Sequence, residues 1–193
     1  MNGVSHLLEH MAFKGTERRN PAEIAIAIED VGGIMNAYTS REQTAYYAKI
    51  LADDAPLALD VISDILCNST FPEDEMERER QVILQEIGQA ADVPEDVVFD
   101  SFQSEAFPYQ ALGRTVLGDP NVVRNISRDE MVAYMGERYL PSRMVVAAAG
   151  KVDHDSFARE VETKFGGWPA GTVGPGEGAA YRGGDARGRG RCG

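Results

Sequence analysis

The chain holds 193 residues, 43% of them hydrophobic, which is enough for one domain with a packed core and too few for two. Nineteen Lys and Arg stand against 31 Asp and Glu, and the formal net charge of -12 argues against nucleic acid as a partner while suiting basic or neutral ligands. No apolar run is long enough to cross a bilayer and the two cysteines, Cys67 and Cys192, cannot form a disulfide framework, so the expectation is a soluble chain with no membrane partner.

Residues 4–13 read as a short helix stopped by Gly15. Asn20 can cap a second helix with Pro21 in its first turn; Ile24, Ala27, Ile28 and Val31 give its apolar face, and Gly32-Gly33 end it. Residues 34–39 and 44–51, rich in β-branched and aromatic side chains, flank Ser40-Arg41-Glu42-Gln43 and predict an antiparallel hairpin. Helices are expected over 55–67, 72–91, 94–107 and 127–139, the last opened by a capping box from Ser127 to Glu130. Residues 144–149 predict a continuous apolar strand, and 153–165 a final helix capped by Asp153. After Trp168-Pro169 the composition turns to glycine, alanine and arginine, which cannot pack a core; a linker or a broken reading frame explains it better than an RNA-binding tail. The mixture of helices with an antiparallel pair makes the class α+β.

Two of the three histidines fall in His6-Leu7-Leu8-Glu9-His10. On a helix, positions i, i+3 and i+4 share one arc of about 100°, so both imidazoles and the carboxylate point the same way. Two neutral imidazoles at that spacing can hold one Zn²⁺, and the glutamate between them can take a proton from bound water; H-x-x-E-H is the inverted form of the commoner zinc-protease motif. A catalytic zinc needs a third protein ligand. On the helix over 72–91, Met76, Val82, Ile83, Ile87 and Ala90 define an apolar face that also contains Glu79 and Glu86. Buried carboxylates must be paired or metal-bound, so Glu86 is read as the third ligand and Glu79 as its outer support; pairing of both with Arg or Lys is the alternative. His154, between Asp153 and Asp155 at a helix start, reads as a capping or exposed residue.

With His10 and Glu86 seventy-six residues apart, and with the segments Asn2-Gly-Val-Ser-His-Leu-Leu-Glu-His-Met-Ala-Phe-Lys-Gly-Thr16 and Gly32-Gly-Ile-Met-Asn-Ala-Tyr-Thr-Ser-Arg-Glu-Gln-Thr44, the chain resembles the pitrilysin and processing-peptidase family of zinc peptidases, M16, which includes the insulinases. The resemblance implies His6, His10 and Glu86 as zinc ligands, Glu9 as general base, Glu79 as a second catalytic carboxylate, and Asn36 and Ala37 on the edge strand that receives a substrate peptide. It implies a zinc-dependent metalloendopeptidase acting on extended peptides, in the mitochondrial matrix or a bacterial cytoplasm or periplasm. A catalytically inert fragment or a non-catalytic assembly subunit of the same fold is the alternative. The implied fold is a mostly antiparallel mixed sheet flanked by helices, with the first strands missing. Residues 1–170 would form an N-terminal catalytic half-domain and 171–193 a linker, the second half-domain or a homologous subunit being the implied partner.

Overall fold

In the computed structural model, residues 2–168, 171 and 178–183 are described. The order is α1 (Val4–Ala12), α2 (Pro21–Glu29), β1 (Ile34–Thr39), β2 (Thr44–Lys49), α3 (Ala55–Cys67), α4 (Glu73–Asp92), α5 (Pro94–Ala106), α6 (Pro120–Asn125), α7 (Arg128–Arg138) and α8 (His154–Phe165). Helices dominate, and the described sheet is the antiparallel pair β1–β2, in register from Ile34 opposite Lys49 to Thr39 opposite Thr44. The α+β class holds.

Helix α1 is amphipathic in the way its sequence demands. Val4, Leu7, Leu8 and Met11, at i, i+3, i+4 and i+7, are buried together with Met76 and Ile83 of α4, Val123 of α6, Met131 of α7, and Phe71 and Ile126. The same periodicity turns His6, Glu9 and His10 onto the neighbouring face. No side chain caps the helix start. Its position is set instead by a backbone crossing: Gly3 (φ 91°) lies on Gly118 (φ 93°), where an added Cβ on Gly118 would stand 2.6 Å from the Gly3 Cα. Both glycines are required, by close approach and by left-handed backbone.

Ala12 belongs to a second core with Ile24 and Ile28 of α2 and Ala58, Val61, Ile65 and Leu66 of α3, and Met35, Tyr46 and Ala48 of the hairpin pack against it. The expected caps form: Asn20 makes a capping box with Glu23, Ser127 one with Glu130, and Asp153 accepts from the Ser156 amide. Helix α4 stops where Val93-Pro94 forbids its continuation and begins α5.

Two expectations need correction, and one element is new. Residues 144–149 form no strand, with Val145 91% exposed. A strand is defined by its hydrogen-bonding neighbour, and β1 and β2 pair with each other, so among the described residues this segment has no ladder partner. The buried stripe of α4 is narrower than expected, being Met76, Glu79 and Ile83, while Ile87 is only partly buried and Val82 is exposed. Helix α6 was not anticipated, although Asp119 accepts from the Asn121 and Val122 amides and Pro120 opens it. Residues 169–170, 172–177 and 184–193 lie outside the described residues, and most of the expected linker lies there with them.

Candidate metal centre

Helix α1 packs across α4, and this crossing brings the motif to its distant carboxylate. The His6 Nε2 lies 3.6 Å from Glu86 Oε2 and the His10 Nε2 3.7 Å from the same oxygen, and one ligand atom from each of the three residues falls within 4.8 Å of the others. A tetrahedral ion with bonds of about 2.0–2.2 Å has ligand-to-ligand edges of roughly 3.4 Å, so the spacing fits a shared divalent ion. The rings are largely withdrawn from water, at 12% and 17% side-chain exposure, while the Glu86 side chain keeps 37%, leaving an open side.

The outer atoms sharpen this. The His10 Nδ1 donates to Glu79 Oε2 at 2.8 Å, which fixes the tautomer that leaves the Nε2 lone pair facing Glu86. The other oxygen of Glu79, Oε1, receives the Lys14 ammonium at 2.6 Å. Burial alone would raise the Glu79 pKa, but the hydrogen bonds from Lys14 and then His10 outweigh it and hold the carboxyl below its ordinary range. Burial, with help from the neighbouring His10, lowers the His6 pKa against the pull of Glu86, so His6 is held as the neutral imidazole a metal needs. Two buried polar atoms of the motif, His6 Nδ1 and Glu9 Oε2, have no hydrogen-bond partner among the described residues. The orphaned carboxylate oxygen belongs to the helix face that carries both imidazoles.

Beside Glu9 stand tyrosines that sequence patterning did not single out. Tyr46 of β2 and Tyr139, after α7, bond through their hydroxyls at 3.1 Å, and the Tyr134 hydroxyl meets Ser5 Oγ at 2.6 Å. Burial first, then the neighbouring phenol and the Glu9 charge, push the Tyr46 pKa far up, and burial also raises that of Tyr139; both stay neutral donors. Strand β1 carries Asn36 and Ala37, where the Ala37 amide donates to Asn36 Oδ1 at 2.8 Å. That amide therefore points away from the β2 ladder, toward the free edge of the hairpin. His154 lies at the start of α8 and outside the cluster.

Lys14 stands four residues after His10, just past the end of α1, but its partner Glu79 is 65 residues away and only the α1–α4 packing reveals it. Of the two carboxylates expected on the buried face of α4, Glu79 is buried and pairs with a lysine and a histidine, whereas Glu86 is only partly buried and lies beside the two rings.

Residues 1–120 match the family model for insulinase, peptidase family M16, and residues 125–189 match that for the M16 inactive domain. Fold and motif thus define a peptidase-type domain built around an inverted H-x-x-E-H helix. The chain belongs to peptidase family M16. It is 48% identical over 164 residues to the probable mitochondrial-processing peptidase subunit beta of Arabidopsis thaliana, over 85% of this chain and 31% of that one. It is 46% identical to the human mitochondrial-processing peptidase subunit beta, over 86% of this chain and 34% of that one. The chain therefore spans about a third of the length of these curated relatives. Among solved structures, a protease from Helicobacter pylori superposes with a TM-score of 0.82 at 24% identity, covering 90% of this chain and 42% of the other. The M16 inactive domain from Pseudomonas fluorescens gives 0.82 at 17%, covering 93% and 44%. At these identities the likeness concerns the fold.

Proposed function

We propose that the chain carries the zinc site and general base of a metalloendopeptidase acting on extended peptides. The observation that supports this most is the convergence of His6, His10 and Glu86 from two helices onto one point, beside a buried and unpartnered Glu9 carboxylate oxygen. The donor set of two imidazoles and one carboxylate suits Zn²⁺ and leaves a position open. Zinc bound there would supply Lewis acidity, lowering the pKa of a water and polarising the scissile carbonyl.

The protein's own residues do the rest. Glu9 accepts the proton released by the attacking water and returns it to the departing amine nitrogen. Glu79 holds the His10 ring in its ligand tautomer. The free edge of β1 at Asn36 and Ala37 offers backbone groups to an extended peptide, after the Asn36 carboxamide releases the Ala37 amide. The net charge of -12 favours basic peptides, and the relatives carry mitochondrial-processing peptidase names. The same names favour a mitochondrial compartment.

Because the chain spans about a third of those relatives, a further half-domain or homologous subunit is proposed to complete the electrostatic stabilisation and water exclusion that hydrolysis needs. The test is hydrolysis of a quenched basic peptide by the chain alone and fused to the remaining length of a relative, each with zinc and with chelator. Chelator-sensitive turnover that rises in the fusion supports the reading; turnover indifferent to chelator, or none in a zinc-loaded fusion, contradicts it.

A further inference from the structure

The geometry points to Lys14 as a positioning residue for the metal centre, its ammonium clamping the Glu79 carboxylate that orients His10. This inference rests on the metal reading of His6, His10 and Glu86. The two oxygens of Glu79 are used separately: Oε1 takes Lys14 Nζ at 2.6 Å and Oε2 takes His10 Nδ1 at 2.8 Å. A carboxylate held at one oxygen swings about its last torsion, whereas one held at both has a fixed plane. With that plane fixed, the line through the His10 ring is fixed as well, and its Nε2 stays aimed at the oxygen of Glu86 that it shares with His6.

A flexible lysine can act this way only if its own backbone is held, and it is. The Lys14 amide donates to the Met11 carbonyl at 3.1 Å at the end of α1. Gly15 then turns at φ 119°, and its carbonyl receives the Thr70 amide at 3.2 Å. Thr16 Oγ1 donates to Asp64 at 2.9 Å, and Asp64, buried on α3, is gripped by Arg19 at 2.7 Å and Asn68 at 2.8 Å. The turn after the motif helix is thus fastened to α3, which sets where Lys14 starts and how it reaches α4. A lysine serving only to neutralise a buried charge would not need this path, nor would it need to share its carboxylate with a ligand imidazole.

The 193-residue chain is tested as wild type, Lys14→Met and Lys14→Arg. Zinc affinity is measured by competition with a chromophoric chelator, the His10 tautomer in the zinc-free protein by ¹⁵N imidazole spectra, and zinc-free thermal unfolding alongside. Loss of an outer-shell partner typically weakens metal binding about tenfold or more, so Lys14→Met is expected to bind zinc about tenfold more weakly and to show mixed His10 tautomers, with Lys14→Arg recovering most of both. Wild-type affinity and a single tautomer in Lys14→Met would overturn the inference. A loss of affinity matched by a loss of zinc-free stability, with the tautomer unchanged, would also overturn it and make the contact a stabilising ion pair. A wild-type chain that takes up no stoichiometric zinc would overturn the metal reading itself, an outcome distinct from both.

Discussion

Glu9 and His10 are neighbours in the sequence with separable jobs. Glu9→Gln keeps the size and the helix and removes only the proton acceptor, so zinc content should match wild type while turnover of a completed enzyme falls about 10²- to 10⁴-fold. His10→Ala removes a ligand and leaves Glu79 without its imidazole partner, and should lose zinc altogether in a metal-per-chain assay. Zinc lost in Glu9→Gln, or kept in His10→Ala, would exchange these roles. The motif was legible because its three side chains sit within five residues of one helix, where spacing alone determines direction. Glu86 was legible as a carboxylate on an apolar face. Lys14, Tyr46 and Tyr139 were not, since each matters through a partner that only tertiary packing supplies.

Helix α1 is positioned at both ends by contacts that are not helical. At its start, Gly118→Ala would force a methyl group to within 2.6 Å of the Gly3 Cα while placing alanine at φ 93°. The expected destabilisation is about 2–3 kcal/mol by thermal unfolding, with weaker zinc binding because the helix must shift. At its end, Arg18, Arg19 and Lys164 surround Asp60 and Asp64 of α3. Burial alone would raise both carboxyl pKa values, but hydrogen bonds outweigh it and hold both below the ordinary range: from Lys164, Arg19 and Arg18 to Asp60, and from Asn68, Arg19 and Thr16 to Asp64. Groups whose folded pKa is depressed contribute stability above the unfolded value near about 4 and lose it as pH falls toward the folded value. Asp64→Asn should therefore cost about 3 kcal/mol at neutral pH, and its gap to wild type should narrow as unfolding is followed into acid. A gap that widened on acidification would reverse the assignment. Caps and turns were readable along the chain because Asn20, Ser127 and Asp153 act within three residues. Residues 144–149 were misread because apolar, β-branched composition reports a preference for extension, while a strand also needs a neighbour.

Across the whole molecule, metal binding joins the two helices that define the first core, so it should be felt as stability. Zinc present at about a hundred times its dissociation constant should raise unfolding stability by about 2.7 kcal/mol, an increment that a chelator removes and His10→Ala never shows. Length, charge and the α+β class could be read from composition and pattern, and the ligand set already implied that α1 meets α4; the packing that brings them together, Val4, Leu7, Leu8 and Met11 against Met76 and Ile83 across more than sixty residues, could not. That crossing is the central claim, and zinc X-ray absorption spectroscopy of the metal-loaded chain tests it most directly. The account predicts two imidazole nitrogens and a carboxylate oxygen at about 2.0–2.2 Å, and no bound zinc in His10→Ala. A zinc spectrum lacking imidazole, or one unchanged by that substitution, would contradict it.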